Sequence, residues 1–248
     1  MIAMFAAMNV EVRACLGALT ATRERSVAGF PVVESETALI CQTGLGRQAE
    51  RAADAMLAEL SPRALLSIGT AGGLSAALGI GDIVFCETVG HPLEAGLMCG
   101  DVGLIAAALE TATGAGLTAV RGASVTVDAV AWTPGDKAKL RHSGAPDIVE
   151  MESYWIGKAA AARGLPFLAI RAVSDGPDHH LVDIPNLFDE HGNVISASVL
   201  TYTLEHPEVI PLLAEQHANG GIALNSLTVF LTEFLPRLEN LLQTGTAG

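Results

Sequence analysis

The chain has 248 residues, 50% of them hydrophobic, and its 14 lysine and arginine residues against 27 aspartate and glutamate residues give a formal net charge of −13. The length suits one large α/β domain, and the negative charge disfavours nucleic-acid backbones and anionic membrane surfaces as partners. The four cysteines are far apart and show no C-x-x-C spacing, so disulfides and a zinc or other metal site are disfavoured.

Short apolar runs, each followed by glycine or polar residues and an alanine-rich stretch, predict strand–helix units around a largely parallel or mixed sheet. The predicted strands span residues 2–7, 37–42, 64–69, 82–89, 124–126 and 166–173, and the predicted helices span residues 11–19, 47–60, 103–113 and 153–163. The first apolar run is short and lacks a basic leader, and no apolar stretch of about 18 residues occurs. We therefore expect a soluble, cytoplasmic protein with no membrane insertion.

The last third of the chain changes character. Prolines interrupt it after residue 183, and apolar residues then recur at helical spacing at Leu227, Phe230, Phe234, Leu238 and Leu241. This spacing predicts a final amphipathic helix that packs on the sheet. No repeat or linker marks a second domain, so we expect a single domain over residues 1–248 with a divergent helical C-terminal segment from about residue 183.

Residues 44–49, Gly-Leu-Gly-Arg-Gln-Ala, match the G-x-G-x-x-A pattern that places a pyrophosphate on a helix N-terminus. A dinucleotide site also needs an acid at the end of the next strand to hold a ribose hydroxyl. Residues 64–69 run instead into Thr-Ala-Gly-Gly. The pattern therefore favours close approach of a helix and a strand over a dinucleotide site.

Three segments near predicted strand ends carry groups suited to chemistry. After residues 64–69, a glycine-rich turn containing Thr70, Ala71 and Gly72 either exposes amides to a ligand or simply reverses the chain. The two acids at positions 150 and 152 point to one side if the segment is extended, or else are solvated at a helix N-terminus. The acid at position 175 ends a strand, where it either faces a pocket or caps a turn.

Four segments occur in a specific order and spacing: residues 7–12 (Ala-Met-Asn-Val-Glu-Val), 43–46 (Thr-Gly-Leu-Gly), 69–74 with 81–84, and 149–152 (Val-Glu-Met-Glu) leading to 171–175 (Arg-Ala-Val-Ser-Asp). Together they resemble the superfamily of nucleoside phosphorylases and methylthioadenosine/adenosylhomocysteine nucleosidases. The resemblance implies a three-layer α/β/α sandwich with a mixed central sheet. It also implies an enzyme that cleaves the N-glycosidic bond of a small-molecule purine nucleoside, with no cofactor except phosphate as a possible co-substrate.

At the base end of the site, the resemblance implies that Asp175 protonates or hydrogen-bonds purine N7 and that Ser174 orients its carboxyl. The nucleosidases carry an aromatic residue that stacks on the base shortly after the Asp-Ala of residues 128–129, but residues 130–131 are Val-Ala here. Trp132 either replaces that aromatic residue or packs in the core or at an interface.

At the sugar end, the resemblance implies that Glu152 accepts hydrogen bonds from the ribose 2′- and 3′-hydroxyls and that Met151 packs beneath the sugar. Glu11, with Arg171 and Thr70, is implied to hold the attacking water. These assignments make chemical sense, because glycosidic cleavage passes through an oxocarbenium-like state and needs an acid at the leaving group and an activated nucleophile opposite.

Whether the nucleophile is water or phosphate depends on nearby cations. Hexameric phosphorylases place a phosphate-binding arginine three residues before the Ser or Thr of the glycine loop, and here that position is Ser67. This favours hydrolysis with release of adenine, although Arg13 and Arg47 leave phosphorolysis open. A purine nucleoside-binding protein without activity is a further alternative, which the presence of Asp175 and Glu152 disfavours.

Residues 133–140, the Glu-Met-Glu-Ser of residues 150–153 and the proline-interrupted tail together resemble the hopanoid-associated branch of the superfamily, which acts on an adenosyl group attached to a triterpenoid. Apolar residues between positions 187 and 213 then either line a wide mouth for an apolar 5′-substituent or complete the core. The resemblance also implies a homodimer or a higher homo-oligomer.

Overall fold

The computed structural model describes residues 1–189 and 191–244, which form one mixed sheet flanked by helices. The strands are β1 (Ile2–Ala6), β2 (Arg23–Val27), β3 (Phe30–Glu34), β4 (Ala38–Gln42), β5 (Leu65–Gly73), β6 (Ile83–Gly90), β7 (Met98–Cys99), β8 (Ala119–Thr126), β9 (Ile148–Glu150) and β10 (Phe167–Asp175). The helices are α1 (Asn9–Leu16), α2 (Gln48–Glu59), α3 (Val102–Gly114), α4 (Pro134–His142), α5 (Ser153–Ala162), α6 (Ser196–Glu205) and α7 (Ile210–Thr244), with a short 3-10 helix at Pro207–Val209.

The sheet is open on one side and closed on the other, and β5 lies where the two parts meet. β5 pairs in parallel with β1 and β10 and antiparallel with β9 near its carboxyl end. From β10 the pairing continues through β6, β8 and β9 back to β5, so these five strands form a ring. On the open side β1 is followed by β4, β3 and β2. The predicted mixed sheet is therefore confirmed.

Helices cover both faces of this sheet. α1, α3 and α7 pack on one face, where the rings of Phe85 and Phe230 lie 5.0 Å apart. α2 and α5 pack on the other face, in a core that includes the buried Trp155. Successive strand residues supply opposite cores, as Leu66 and Leu65 do in β5. The three-layer α/β/α sandwich implied by the resemblance is confirmed.

Every predicted strand and helix is present, together with several elements that the sequence pattern does not predict. The hairpin of β2 and β3 lies at the edge of the sheet, where β2 is mostly polar and exposed and lacks the alternation of a half-buried strand. Helices α4 and α6 are also omitted, because α4 buries one residue and α6 buries none. Elements with so little apolar surface leave a weak periodic signal in the sequence.

The C-terminal segment divides into an exposed part and a buried part. α6 and the start of α7 contribute no buried residue, whereas Leu227, Phe230, Phe234 and Leu238 of α7 are completely buried against the sheet, as predicted. Pro211 lies in the first turn of α7, where a missing N–H costs no helical hydrogen bond. Within the described residues, no helix is both long and apolar enough to cross a membrane.

Candidate active site

A cavity of about 980 Å³ opens where the carboxyl ends of β1, β5 and β10 meet. Ligands of α/β sheets bind at this edge, because the loops that follow parallel strands diverge there. All the site residues predicted from the sequence, except Arg171, line this cavity: Glu11, Thr70, Ala71, Gly72, Trp132, Met151, Glu152, Ser174 and Asp175. Side chains that lie far apart in the sequence are thus brought to one site.

Asp175 reaches the cavity from the end of β10. The pairing of β10 with β5 is irregular between Val173 and Asp175, and such a bulge re-aims the following side chain. Ser174 Oγ donates a hydrogen bond to Oδ1 of Asp175 at 2.8 Å, and Lys137 Nζ donates to Oδ2 at 2.5 Å. The predicted Ser174 contact is present, and both carboxyl oxygens are held by neighbours.

Glu152 stands at the N-cap of α5 and is only 5% exposed. The backbone N–H of Gly46 donates to its Oε1 at 2.9 Å, and Arg171 Nη2 lies 3.7 Å from its Oε2. Burial raises the pKa of Glu152 to about 8, with Glu150 and Glu11 acting in the same direction and Arg171 opposing them. The alternative of a solvated acid at this helix end is wrong, because the carboxyl is enclosed.

Glu11 ties the first turn of α1 to β5. Its Oε2 accepts from the N–H groups of Ala7 and Met8, both at 3.1 Å, and its Oε1 accepts from the N–H of Thr70 at 2.8 Å and the Thr70 hydroxyl at 3.2 Å. The three backbone donors are fixed, whereas a hydroxyl rotates freely. The Thr70 hydroxyl is therefore the donor that is able to turn towards a ligand at the cavity surface.

Arg171 is the one predicted site residue that does not line the cavity, because it lies behind the cavity wall. Its Nη2 contacts Glu150 Oε2 at 2.6 Å and Ser67 Oγ at 2.8 Å, and the residue is 1% exposed. Burial by itself lowers the pKa of Arg171, but the carboxylates of Glu150, Glu152 and Glu11 outweigh it and raise that pKa. Arg171 thus compensates the buried negative charge beneath the site.

Glu150, the first of the two acids near α5, serves this buried network. Its Oε2 also accepts from the N–H groups of Glu152 at 3.0 Å and Ser153 at 2.7 Å, and Thr126 donates to its Oε1. With these donors and Arg171, both oxygens of the Glu150 carboxylate have hydrogen-bond partners. The bonds to the N–H groups of Glu152 and Ser153 fix the start of α5. The alternative of a solvated acid is wrong for Glu150 as well, since the residue is 5% exposed.

The glycine-rich segment after residue 69 is part of β5 and not the predicted turn. β5 continues to Gly73, pairing with both β10 and β9. A Cβ at Gly69 would collide with Arg171 and lie 2.6 Å from Oε1 of Glu11, and a Cβ at Gly72 would lie 3.0 Å from Oδ2 of Asp175. These glycines therefore make room for the functional side chains themselves.

The loop between β4 and α2 uses its glycines in another way. Gly44 has φ 72° and Gly46 has φ 66°, values that favour glycine. The N–H of Gly46, which a bound pyrophosphate would need, donates to Glu152 instead. The loop thus helps to position an acid of the site, a role that the G-x-G-x-x-A pattern does not reveal.

The remaining wall of the cavity is largely apolar. Met151 and Trp132 are half-buried on this wall, and the Trp132 carbonyl accepts from the N–H of Leu181 at 2.8 Å. The C-terminal segment contributes five further half-buried side chains, which we call the mouth: Leu187, Phe188, Tyr202, Val209 and Leu212. Residues between positions 187 and 213 therefore border the cavity and do not simply complete the core.

Acidic side chains outnumber basic ones on the described wall of the cavity. Among the described residues, seven carboxyl side chains line it: Glu11, Glu150, Glu152, Asp175, Asp178, Asp183 and Glu215. Lys137 is the one lysine or arginine on the same described wall. Ser67 is fully buried and bonded to Arg171, Arg13 is exposed away from the wall, and Arg47 pairs with Glu50 at 3.0 Å. Neither Arg13 nor Arg47 lines the cavity.

Lys137 is the principal site residue that the sequence analysis misses. It lies on α4, which Thr133 caps by accepting from the N–H of Asp136 at 3.2 Å. The Thr-Pro start signal for this helix is visible in the sequence, but a lysine in a polar helix is ordinarily solvated. Across the ranges 1–189 and 191–244, no group of three or more His, Cys, Asp or Glu side chains is arranged to hold a metal ion.

Comparison with known proteins agrees with this geometry. The family model described as the phosphorylase superfamily matches residues 2–204. A 5′-methylthioadenosine/S-adenosylhomocysteine nucleosidase of Glaesserella parasuis is 29% identical over 200 residues, which cover 71% of this chain and 86% of that protein.

Two solved structures share the fold. Futalosine hydrolase of Helicobacter pylori superposes with a TM-score of 0.76 at 16% identity, covering 95% of this chain and 97% of its own. The 5′-methylthioadenosine/S-adenosylhomocysteine nucleosidase of Campylobacter jejuni gives a TM-score of 0.74 at 19% identity, covering 97% and 99%. Because the family model matches most of the chain, the protein belongs to the phosphorylase superfamily and is an enzyme that acts on N-glycosidic bonds.

Proposed function

We propose that the protein hydrolyses the N-glycosidic bond of a purine nucleoside that carries an apolar 5′-substituent, releasing adenine. The observation that carries this proposal is that Glu11, Glu152 and Asp175 reach one cavity from three different elements. Hydrolysis of this bond needs a proton donor for the base, a group that binds the sugar and a group that activates water. The three acids match these three needs without a cofactor.

Each acid has an environment suited to one step. Asp175, held by Ser174 and Lys137, is proposed to protonate purine N7. Glu152 is proposed to accept hydrogen bonds from the ribose hydroxyls and, in its ionised form, to stabilise positive charge as it develops on the sugar. Glu11 is proposed to take the proton of the attacking water, which binds beside the Thr70 hydroxyl. Arg171 supports these groups from behind the wall by fixing Glu150 and by compensating the buried charge.

Water is the proposed nucleophile because of the charge of the cavity. A phosphate dianion would approach seven carboxyl groups and, within the described part of the chain, one lysine that Asp175 already binds. Like charges in a partly enclosed site oppose its entry. Neither Arg13 nor Arg47, the residues that leave phosphorolysis open in the sequence, lies on the cavity wall.

The proposed 5′-substituent follows from the mouth. Its five apolar side chains border the cavity, so a substituent that leaves the sugar on this side meets apolar surface. The relatives named for 5′-methylthioadenosine and S-adenosylhomocysteine support a 5′-substituted adenosine as the substrate class. The sequence resemblance to the hopanoid-associated branch supports an apolar group at this position. The homo-oligomeric state and the cytoplasmic location stay predictions.

The test is to incubate the protein with adenosine and with a series of 5′-alkylthio-adenosines, with and without inorganic phosphate, and to follow adenine by chromatography. We expect adenine release at the same rate under both conditions, together with the free 5′-substituted ribose. Adenine release that requires phosphate, with a sugar 1-phosphate as product, would overturn hydrolysis. Tight nucleoside binding with no adenine release would indicate a binding protein.

A further inference from the structure

Lys137 is buried in a way that packing does not explain. Within α4 it is the one buried residue, with 1% of its surface exposed, while its helix neighbours are partly or fully exposed. Burying an ammonium group is costly unless partners compensate it, and an apolar residue would fill the same space without that cost. The position of this charge therefore points to a role that depends on its chemistry.

The ammonium group of Lys137 makes three contacts, all within the protein. Its Nζ donates to Oδ2 of Asp175 at 2.5 Å, to the carbonyl of Gly176 at 2.6 Å and to the carbonyl of His179 at 3.3 Å. An ammonium has three protons, so none remains for a ligand. The two carbonyls fix the nitrogen in place, and the third proton is directed at the carboxyl of Asp175.

Asp175 needs a source for the proton that it gives to the base. An ionised carboxylate only accepts hydrogen bonds, so it is able to deliver a proton only as it receives one. Ser174 Oγ contacts Oδ1, and Lys137 contacts Oδ2. Of these two neighbours, the ammonium is the stronger acid, and it is able to give a proton to the carboxyl while the departing base draws one from Asp175.

We infer, on the basis of the proposed function, that Lys137 is a positioning residue that supplies the proton which Asp175 delivers to the leaving base. The bond between C1′ and N9 breaks and its electron pair stays on the purine. As this negative charge builds on the base, N7 takes a proton from Asp175 while Asp175 takes one from the Lys137 ammonium, in one coupled step. Water oxygen bonds to C1′ and its proton goes to Glu11. The site resets when Glu11 releases a proton to solvent and the Lys137 amine takes one up.

The test compares two leaving groups in wild type, Lys137→Met and Lys137→Arg. A purine nucleoside needs a proton at N7, whereas the phenolate of 4-nitrophenyl β-D-riboside leaves without one. For Lys137→Met we expect kcat with the nucleoside to fall about 100-fold, which lies in the range of general acid catalysis. We expect its KM and its rate with the nitrophenyl riboside to change by less than about threefold, which also shows that the variant is folded.

Lys137→Arg separates proton supply from charge compensation. Arginine keeps the positive charge but does not release its proton. We therefore expect Lys137→Arg to stay slow with the nucleoside and to keep its rate with the nitrophenyl riboside. The matched control is Lys139→Met on the same helix, whose side chain is 81% exposed and which should behave as wild type.

Each outcome has a distinct meaning. A near-wild-type rate of Lys137→Arg with the nucleoside would overturn proton supply by Lys137. The role of Lys137 would then be to compensate the negative charge of Asp175. An equal loss of Lys137→Met with both leaving groups would overturn it in favour of a purely structural role. Failure of the wild-type protein to release adenine from any nucleoside would instead overturn the proposed function, and the inference with it.

Discussion

The two ends of the cavity are built differently. The floor, formed by Glu11, Thr70, Glu152 and Asp175, carries buried carboxyl groups that are each held by at least two neighbours. The mouth consists of half-buried apolar side chains from the C-terminal segment, and α6, which contributes to it, has no buried residue. The floor is fixed by side-chain hydrogen bonds, whereas the helix α6 of the mouth has no buried residue to hold it against the core.

This difference indicates a division of labour. Preorganised polar groups stabilise charge that develops in a transition state, so the floor determines which bond is cleaved. Apolar surface discriminates mainly by the size and shape of what it covers, so under the proposed function the mouth is the part that would select the 5′-substituent. The family match ends at residue 204, and Val209 and Leu212 of the mouth lie beyond it.

The largest effect should come from the floor. We expect Asp175→Asn to keep the fold and to lower kcat for purine release by about 10²- to 10⁴-fold, because the amide cannot transfer a proton. Adenine release in steady-state assays measures this, with Asp54→Asn, an exposed acid on α2, as the matched control. Near-wild-type turnover of Asp175→Asn would remove Asp175 from the acid role.

A smaller effect concerns Glu152 and the stability of the fold. The folded pKa of Glu152 is about 8 against 4.5 for the free side chain, so between these values the folded protein holds a proton that the unfolded chain has released. The free energy of unfolding should therefore fall as pH rises through this window, by at most about 1.4 kcal/mol per pH unit from this one group.

Urea unfolding of wild type and Glu152→Gln between pH 5 and pH 8 measures this contribution. Groups that do not interact with Glu152 titrate equally in both proteins, so the difference between the two slopes reports Glu152 together with the charged neighbours coupled to it. We expect the variant to lose less stability than wild type as pH rises. Parallel slopes would show that the Glu152 carboxyl is already ionised at the lower pH. Glu152 would then make no contribution to the pH dependence of the free energy of unfolding.

The smallest effect should come from the mouth. We expect Leu212→Ala to raise KM for a 5′-alkylthio-adenosine about tenfold, since loss of apolar contact is worth roughly 1–3 kcal/mol per group, while kcat and the KM for adenosine change little. The control is Leu204→Ala on α6, whose residue is 74% exposed and does not line the cavity. An equal rise in KM for adenosine would place Leu212 at the nucleoside and not at its substituent.

The sequence predicts where strands and helices lie along the chain, and which acids follow them, better than it predicts the surroundings of those acids. Gly164 and Pro166 mark the end of α5 and the start of β10 because helix stops and proline act locally. The glycines at positions 69 and 72 are visible in the sequence, but the side chains for which they leave space come from α1 and β10. A local pattern carries no information about such distant neighbours.

The sequence alone determined the position of most strands and helices that carry the core, since periodicity is a property of the chain itself. Its ordered motifs, through the family resemblance, indicated the layered architecture and the acids of the site. Tertiary structure alone decided that Arg171 lies behind the wall and that Lys137 reaches Asp175, two residues 38 positions apart. The reason is physical: burial and pairing of charges depend on which elements the sheet brings together, and closure of the ring from β5 to β9 sets those neighbours.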